Sequence, residues 1–321
     1  MAQVATVRGP VDTADLGQTL MHEHVFVLNT EMIQNVDWWD EDEKVADAVR
    51  KLQALKDRGV DTIVDPTVLG LGRYIPRVQR VNEQVDINII VATGIYTYND
   101  LPHQYEFRGP GLLMDMPEPM VTEFTKDITE GIGDTGVHAA FLKCVVEAQG
   151  LTPGVERVLR AAGQTHLDTG KPITVHTQSA TQAGKLVLEV YREMGVDLTK
   201  VVIGHAGDSN DLDYLKELAD AGCQLGMDRF GLDIFNPTDQ RVATIAALAE
   251  QGYADRMVLA HDASCYIDYW GADLEQMLAT AAPNWNFTHI SDDVLPALRK
   301  AGVSDEQIEQ MMVQNPRRYF E

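Results

Sequence analysis

T-L-M-H-E-H-V-F-V, residues 19–27, reads as a β-strand carrying two histidines, His22 and His24. Apart from His-Glu-His the run is almost wholly apolar, as expected of a strand buried on both faces in a parallel sheet. Residues two apart on a strand point the same way, so the two imidazoles share a face. Inside a barrel that face is the interior, where two imidazoles need a metal ion or a buried polar partner. His-x-His alone is a weak signal, met as often by a core histidine or by chance.

Seven further apolar runs read as strands: Asp61–Asp65, Ile87–Gly94, Ala139–Val145, Pro172–His176, Val201–His205, Cys223–Asp228 and Met257–Asp262. Helical patterns lie between them. Glu41–Arg58 sets Val45, Ala48, Val49, Leu52 and Leu55 on one stripe and stops at Gly59, and Pro153–Asp168, Thr181–Met194, Asp211–Ala221 and Thr238–Gln251 behave alike. Eight strand–helix alternations predict an α/β fold of the (β/α)₈ TIM-barrel type. A doubly wound open sheet is the rival, but no Gly-rich phosphate turn follows the first strand. The segment V-A-T-V-R-G-P-V-D-T reads as a small hairpin under the barrel, and Asp292–Glu321 as two helices, the second (Asp305–Met312) started by Ser304. With 321 residues and no linker, repeat or low-complexity tract, residues 1–321 are expected to form one domain.

In such barrels the chemistry sits at the C-terminal ends of the strands. Besides His22 and His24, that end carries Lys143 in A-F-L-K-C, His176 in I-T-V-H, His205 in V-V-I-G-H and Asp262 in M-V-L-A-H-D. Four histidines, a lysine and an aspartate at one mouth predict a binuclear metal centre. Lys143 is expensive to bury as a cation. It is either paired with a carboxylate, a Schiff-base lysine, or a lysine that has added CO₂ to become a bridging carboxylate; the surrounding histidines favour the last. Asp262 can ligate metal and also accept a proton. His261 stays outside the ligand set, because adjacent strand residues face opposite ways. His103, His138, His166 and His289 lie in loops or helices and read as structural or surface residues.

The net charge of −23, from 49 acidic and 26 basic residues, disfavours nucleic acid and anionic lipid surfaces and favours a small neutral molecule. No stretch approaches the roughly 18 consecutive apolar residues of a membrane helix. The three cysteines, Cys144, Cys223 and Cys265, lack metal-finger spacing, and the N-terminus has no signal pattern. A cytoplasmic, disulfide-free protein is the expectation.

The ordered set of motifs resembles the phosphotriesterase family of the amidohydrolase superfamily, and within it the phosphotriesterase-like lactonases. The resemblance runs from V-R-G-P-V-D-T-A-D-L-G and T-L-M-H-E-H-V through G-I-Y-T-Y-N-D-L-P, P-I-T-V-H-T, I-G-H-A-G-D-S-N-D and D-R-F-G-L-D to N-P-R-R-Y-F. It implies that His22, His24 and Asp262 hold the more buried of two divalent ions and His176 and His205 the other. Carboxylated Lys143 and a hydroxide would bridge them. Zinc, Co²⁺, Fe²⁺ and Mn²⁺ all suit such donors. It further implies a homodimer and quorum-quenching hydrolysis of N-acyl-homoserine lactones by the bridging hydroxide, with promiscuous phosphotriesterase activity. Asp262 would pass the proton, and Tyr98 and Arg229 would orient the substrate. Read as structure alone, Tyr98 is a rim aromatic and Arg229 a partner for Asp228 or Asp233.

The loop R-F-G-L-D-I-F-N-P after the seventh strand is short, which together with Tyr98 favours a lactonase over an organophosphate specialist. The long loop Ala263–His289 carries Tyr266, Tyr269, Trp270, Leu274, Met277, Trp285 and Phe287. It reads equally as an acyl-tail channel or as a lid packed on the barrel. D-A-S-C-Y after Asp262 departs from the bulkier residues usual in the family and leaves acyl-chain preference open. The competing readings are a primary phosphotriesterase, a metal-independent Schiff-base aldolase using Lys143, and a non-catalytic binding barrel.

Overall fold

The structure, a computed structural model, describes residues 2–321, with residues 270–272 and 275 described in backbone only. Eight parallel strands run in chain order around one sheet: β1 (Gln18–Leu20), β2 (Val60–Asp65), β3 (Asn88–Gly94), β4 (Phe141–Val146), β5 (Ile173–Thr177), β6 (Val201–Gly204), β7 (Gln224–Met227) and β8 (Met257–Leu259). Each pairs with its predecessor, for example Leu20 with Ile63, Thr174 with Lys143, and Met227 with Leu259. The Met21 N–H donates to the Leu259 carbonyl at 3.1 Å and closes the ring. Only parallel neighbours with helical crossovers satisfy this order, which makes the fold a (β/α)₈ barrel.

Three of the expected strands are shorter, each for a backbone reason at the site. The run expected as one strand over Thr19–Val27 splits after Leu20. His24–Val27 leaves the barrel and pairs instead with Ser264–Ile267 of the loop after β8. β6 stops before His205 and β8 before Asp262, because these residues hold left-handed backbone, φ 61° and 54°. Such angles end a strand and are uncommon outside glycine.

The five expected helices form as Glu41–Lys56, Pro153–Thr169, Gly184–Met194, Leu212–Asp220 and Thr238–Glu250. In the first, Asp40 caps the Asp42 and Glu43 N–H groups, and Val45, Ala48, Leu52 and Leu55 are buried against the sheet. Truncating Leu52 to alanine there would cost about 2–5 kcal/mol. Ile75–Asn82 and Pro119–Thr129 complete crossovers that had no helical reading; both are short and carry proline in the first turn.

The barrel bottom is closed as expected by the hairpin Gln3–Thr6/Gly9–Asp12, with the Val7 N–H on the Ile89 carbonyl at 2.9 Å. The tail forms two helical stretches as expected, residues 290–300 and 305–320, the second longer than the expected Asp305–Met312. Ser304 starts the second with a capping box, and a wide π-type turn over Gln310–Gln314 continues it into Asn315–Phe320. Tyr319 thereby enters the barrel floor, 2.9 Å from the Thr174 hydroxyl. No helix among the described residues is long and apolar enough to cross a membrane.

Candidate metal centre

All six residues expected at the barrel mouth converge there. The Asp262 carboxylate lies 3.3 Å from His22 Nε2, 3.2 Å from His24 Nε2 and 3.8 Å from His205 Nε2. His176 Nδ1 lies 2.9 Å from His205 Nε2. Lys143, 1% exposed, places Nζ 3.4 Å from His22 Nε2. Gly94 lets β3 pass close beside Lys143: a Cβ there would meet the Lys143 carbonyl oxygen at 1.9 Å.

The far side of each imidazole fixes its tautomer. Asp228 accepts from His22 Nδ1 at 3.0 Å and from His205 Nδ1 at 2.8 Å, and also from the His205 backbone N–H at 2.9 Å. Thr67 donates to Asp65 and so accepts from His24 Nδ1, at 2.7 Å. Glu147 accepts from His176 Nε2 at 3.1 Å. Carboxylates have no hydrogen to give, so the proton of each histidine sits on the outer nitrogen. Four lone pairs then point inward, and those of His176 and His205 face each other. Unaided, such an arrangement is repulsive; a cation among them makes it attractive. The donor set therefore fits divalent metal.

Electrostatics agree. Burial and the nearby Lys143 push the His22 imidazole down, and burial takes His176 to about 4 and His205 well below its ordinary value, so all three stay neutral. Burial opposes ionisation of Asp262, but its surroundings, with the permanently charged Arg229 among them, outweigh it and hold the carboxyl well below its usual range. Burial brings Lys143 down to about 8. Among the described residues no carboxylate lies within ion-pair distance of Lys143, so the paired-lysine reading finds no partner. His22, His205 and Asp262 form a donor group whose ligand atoms lie within 4.8 Å of one another, close enough to hold a metal ion. It draws members from both halves of the set that the resemblance divides between two ions.

Arg229 pairs with Asp262 at 3.1 Å and Asp208 at 3.0 Å, not with Asp228 or Asp233. Asp228 is turned under the histidines, and Asp233 instead caps Thr238. The Tyr98 hydroxyl lies 2.7 Å from that of Tyr96, which reaches His176 Nδ1 at 3.3 Å. A cavity of about 280 Å³ opens over these groups, with apolar walls from Leu71, Leu232, Phe235, Ile267 and Trp285. From the loop after β8, Ile267, Tyr269 and Trp285 line this cavity. Leu274 and Phe287 are buried in the core, Tyr266 packs on Trp38 and Trp39, and the Trp270 side chain lies outside the described residues. That loop is thus partly pocket wall and partly packing.

The residues behind the ligands had no sequence reading of their own. Asp228 was legible, since it directly follows β7 just as His205 follows β6. Gly226 leaves room for it, as a Cβ there would sit 2.4 Å from its carboxylate. Asp65, Thr67 and Glu147 follow the same rule at the ends of β2 and β4.

Fold and site together define a (β/α)₈ hydrolase with a metal-ligand cluster at the barrel mouth. The phosphotriesterase family model matches residues 2–320, and the chain belongs to that family. A solved phosphotriesterase from Mycobacterium tuberculosis is 54% identical and superposes with a TM-score of 0.97, covering 99% of this chain and 98% of the other. An aryldialkylphosphatase of Saccharolobus solfataricus is 38% identical over 97% of this chain and 96% of its own length. A structure described as organophosphate hydrolysis engineered from a weak promiscuous lactonase template superposes at 0.90, with 33% identity and full coverage of both chains.

Proposed function

We propose that the protein is a metal-dependent lactonase acting on N-acyl-homoserine lactones, with weaker phosphotriesterase activity. The observation that carries the reading is the pair of phenols, Tyr96 and Tyr98, set over His176 at one side of an apolar cavity, with Arg229 and Asp262 at the other. Two divalent ions held by His22, His24, His176, His205, Asp262 and carboxylated Lys143 would supply polarisation of the carbonyl and activation of the attacking water.

The chain's own residues do the rest. Asp262, ionised at neutral pH, takes the proton from the attacking water and delivers it to the leaving alkoxide. Arg229, fixed by Asp208, holds Asp262 in place and keeps a positive charge at the cavity wall. Burial keeps the Tyr98 phenol protonated, so it can donate to the ring oxygen or carbonyl and set the lactone's orientation. Leu71, Leu232, Phe235, Ile267 and Trp285 exclude water around the acyl chain.

The lactonase template among the relatives supports this reading, and the aryldialkylphosphatase supports phosphotriester hydrolysis as the second activity. The Schiff-base reading of Lys143 finds no support in the relatives. The test is ring opening of a long-chain N-acyl-homoserine lactone by metal-loaded protein. Steady turnover is expected, and none at any substrate concentration would overturn the proposal.

A further inference from the structure

Behind the ligand cluster, in the segments that follow β1 and β8, lies a second buried pair. Glu23, between the two ligand histidines, and His261, just before Asp262, are both fully buried. The Glu23 carboxylate accepts the His261 backbone N–H at 2.8 Å, His261 Nδ1–H at 2.7 Å and the Ala263 N–H at 3.0 Å. These amides flank Asp262 on both sides. The Asp262 N–H in turn is held by the His22 carbonyl at 3.0 Å.

Asp262 needs such bracing. Its backbone is left-handed, a strained conformation for a non-glycine residue that persists only where its surroundings enforce it. His261 also faces the loop after β8. Its Nε2 accepts the Ile290 N–H at 2.9 Å, and its carbonyl accepts Trp285 Nε1–H at 2.9 Å. Trp285 is a wall of the site cavity.

We infer that Glu23 and His261 are positioning residues: they lock Asp262 into its ligating conformation and tie the Trp285 wall to the same point. This rests on the proposed role of Asp262 as a metal ligand. Neither residue touches substrate or metal. The Glu23 carboxylate sets the angle at which Asp262 meets the cluster, and the His261 carbonyl makes that angle and the tryptophan wall move together. One buried unit thus couples metal geometry to pocket shape.

The experiment measures Co²⁺ affinity by chelator competition, the visible spectrum of the Co²⁺ protein, and kcat and KM. It uses the wild type, Glu23→Gln, His261→Gln, the double variant and Trp285→Phe. Glutamine at 23 keeps the size but cannot accept all three N–H groups. Partners behind a ligand typically change metal affinity about 10–100-fold, and that loss is expected for Glu23→Gln, with an altered Co²⁺ spectrum. The double variant should lose little more than the worse single one, because the pair acts as a unit. Trp285→Phe removes the donor to the His261 carbonyl and trims the wall while leaving Glu23 and His261 intact, and serves if the buried variants fold poorly; it should both raise KM and weaken Co²⁺ binding several-fold. Wild-type affinity and spectrum in folded Glu23→Gln, or a Trp285→Phe effect confined to KM, would overturn the inference while leaving the metal site standing. A wild type that binds no Co²⁺ would overturn the proposed function itself.

Discussion

The Nζ of Lys143 lies 3.4 Å from Nε2 of His22, in the barrel interior and without a carboxylate partner among the described residues. A buried lysine whose amine falls to about 8 is neutral in about a tenth of molecules at pH 7, far more than an ordinary lysine, and only the neutral amine adds CO₂. Lys143→Ala should therefore lose metal and activity together. Added short carboxylic acids should restore part of both by supplying the missing bridge. Full metal content and full activity in the variant, measured without additives, would contradict a carboxylated lysine.

Asp228 bonds the outer nitrogens of both His22 and His205, so one substitution disturbs two of the proposed ligands. Asp228→Asn places an amide where three N–H donors converge, and at least one of them must lose its acceptor. Metal affinity should fall by about 10–100-fold, the usual effect of losing a ligand's outer partner. Elemental analysis after dialysis against a weak chelator reads this directly, and retention of metal at the wild-type level would refute it.

How much of this could be read from the chain turns on the same few residues. The barrel was legible because most of its strands are apolar on both faces, and the mouth was legible because polar residues interrupt them at one end only. What periodicity could not show was the backbone at that end. His205 and Asp262 read as the last residues of strands, yet both are left-handed and lie beyond them. His22 and His24 read as neighbours on one strand, yet a break after Leu20 separates them. Side-chain alternation still brought them together, since the break preserves the inward direction. The partners were legible in kind but not in pairing: nothing in sequence spacing says that Asp228 meets His22, 206 residues away.

Thorough chelation should abolish turnover, and divalent metal should restore it. It should also lower the thermal midpoint, because metal bound only by the folded state stabilises that state, by about 2.7 kcal/mol at a hundred times the Kd. Calorimetry with and without chelator measures the shift. A midpoint indifferent to metal would mean that the inward lone pairs of the four histidines are satisfied in some other way.

Tyr98 is half exposed at the cavity mouth and bonds Tyr96 rather than any donor of the cluster directly. Tyr98→Phe should reduce kcat/KM for the lactone while metal content stays at the wild-type value. Asp262→Asn should cost far more, since it removes a ligand and the proton acceptor at once. Loss of metal from Tyr98→Phe would reassign the phenol from orienting substrate to holding up His176.

The most direct measurement of the central claim is kcat/KM for a long-chain N-acyl-homoserine lactone and for an aryl dialkyl phosphate on one metal-loaded preparation. The apolar cavity, the Tyr96–Tyr98 pair and the short connection from Asp228 to the helix at Thr238 predict the higher value for the lactone. A higher value for the phosphate would contradict the account and make organophosphate hydrolysis the main activity.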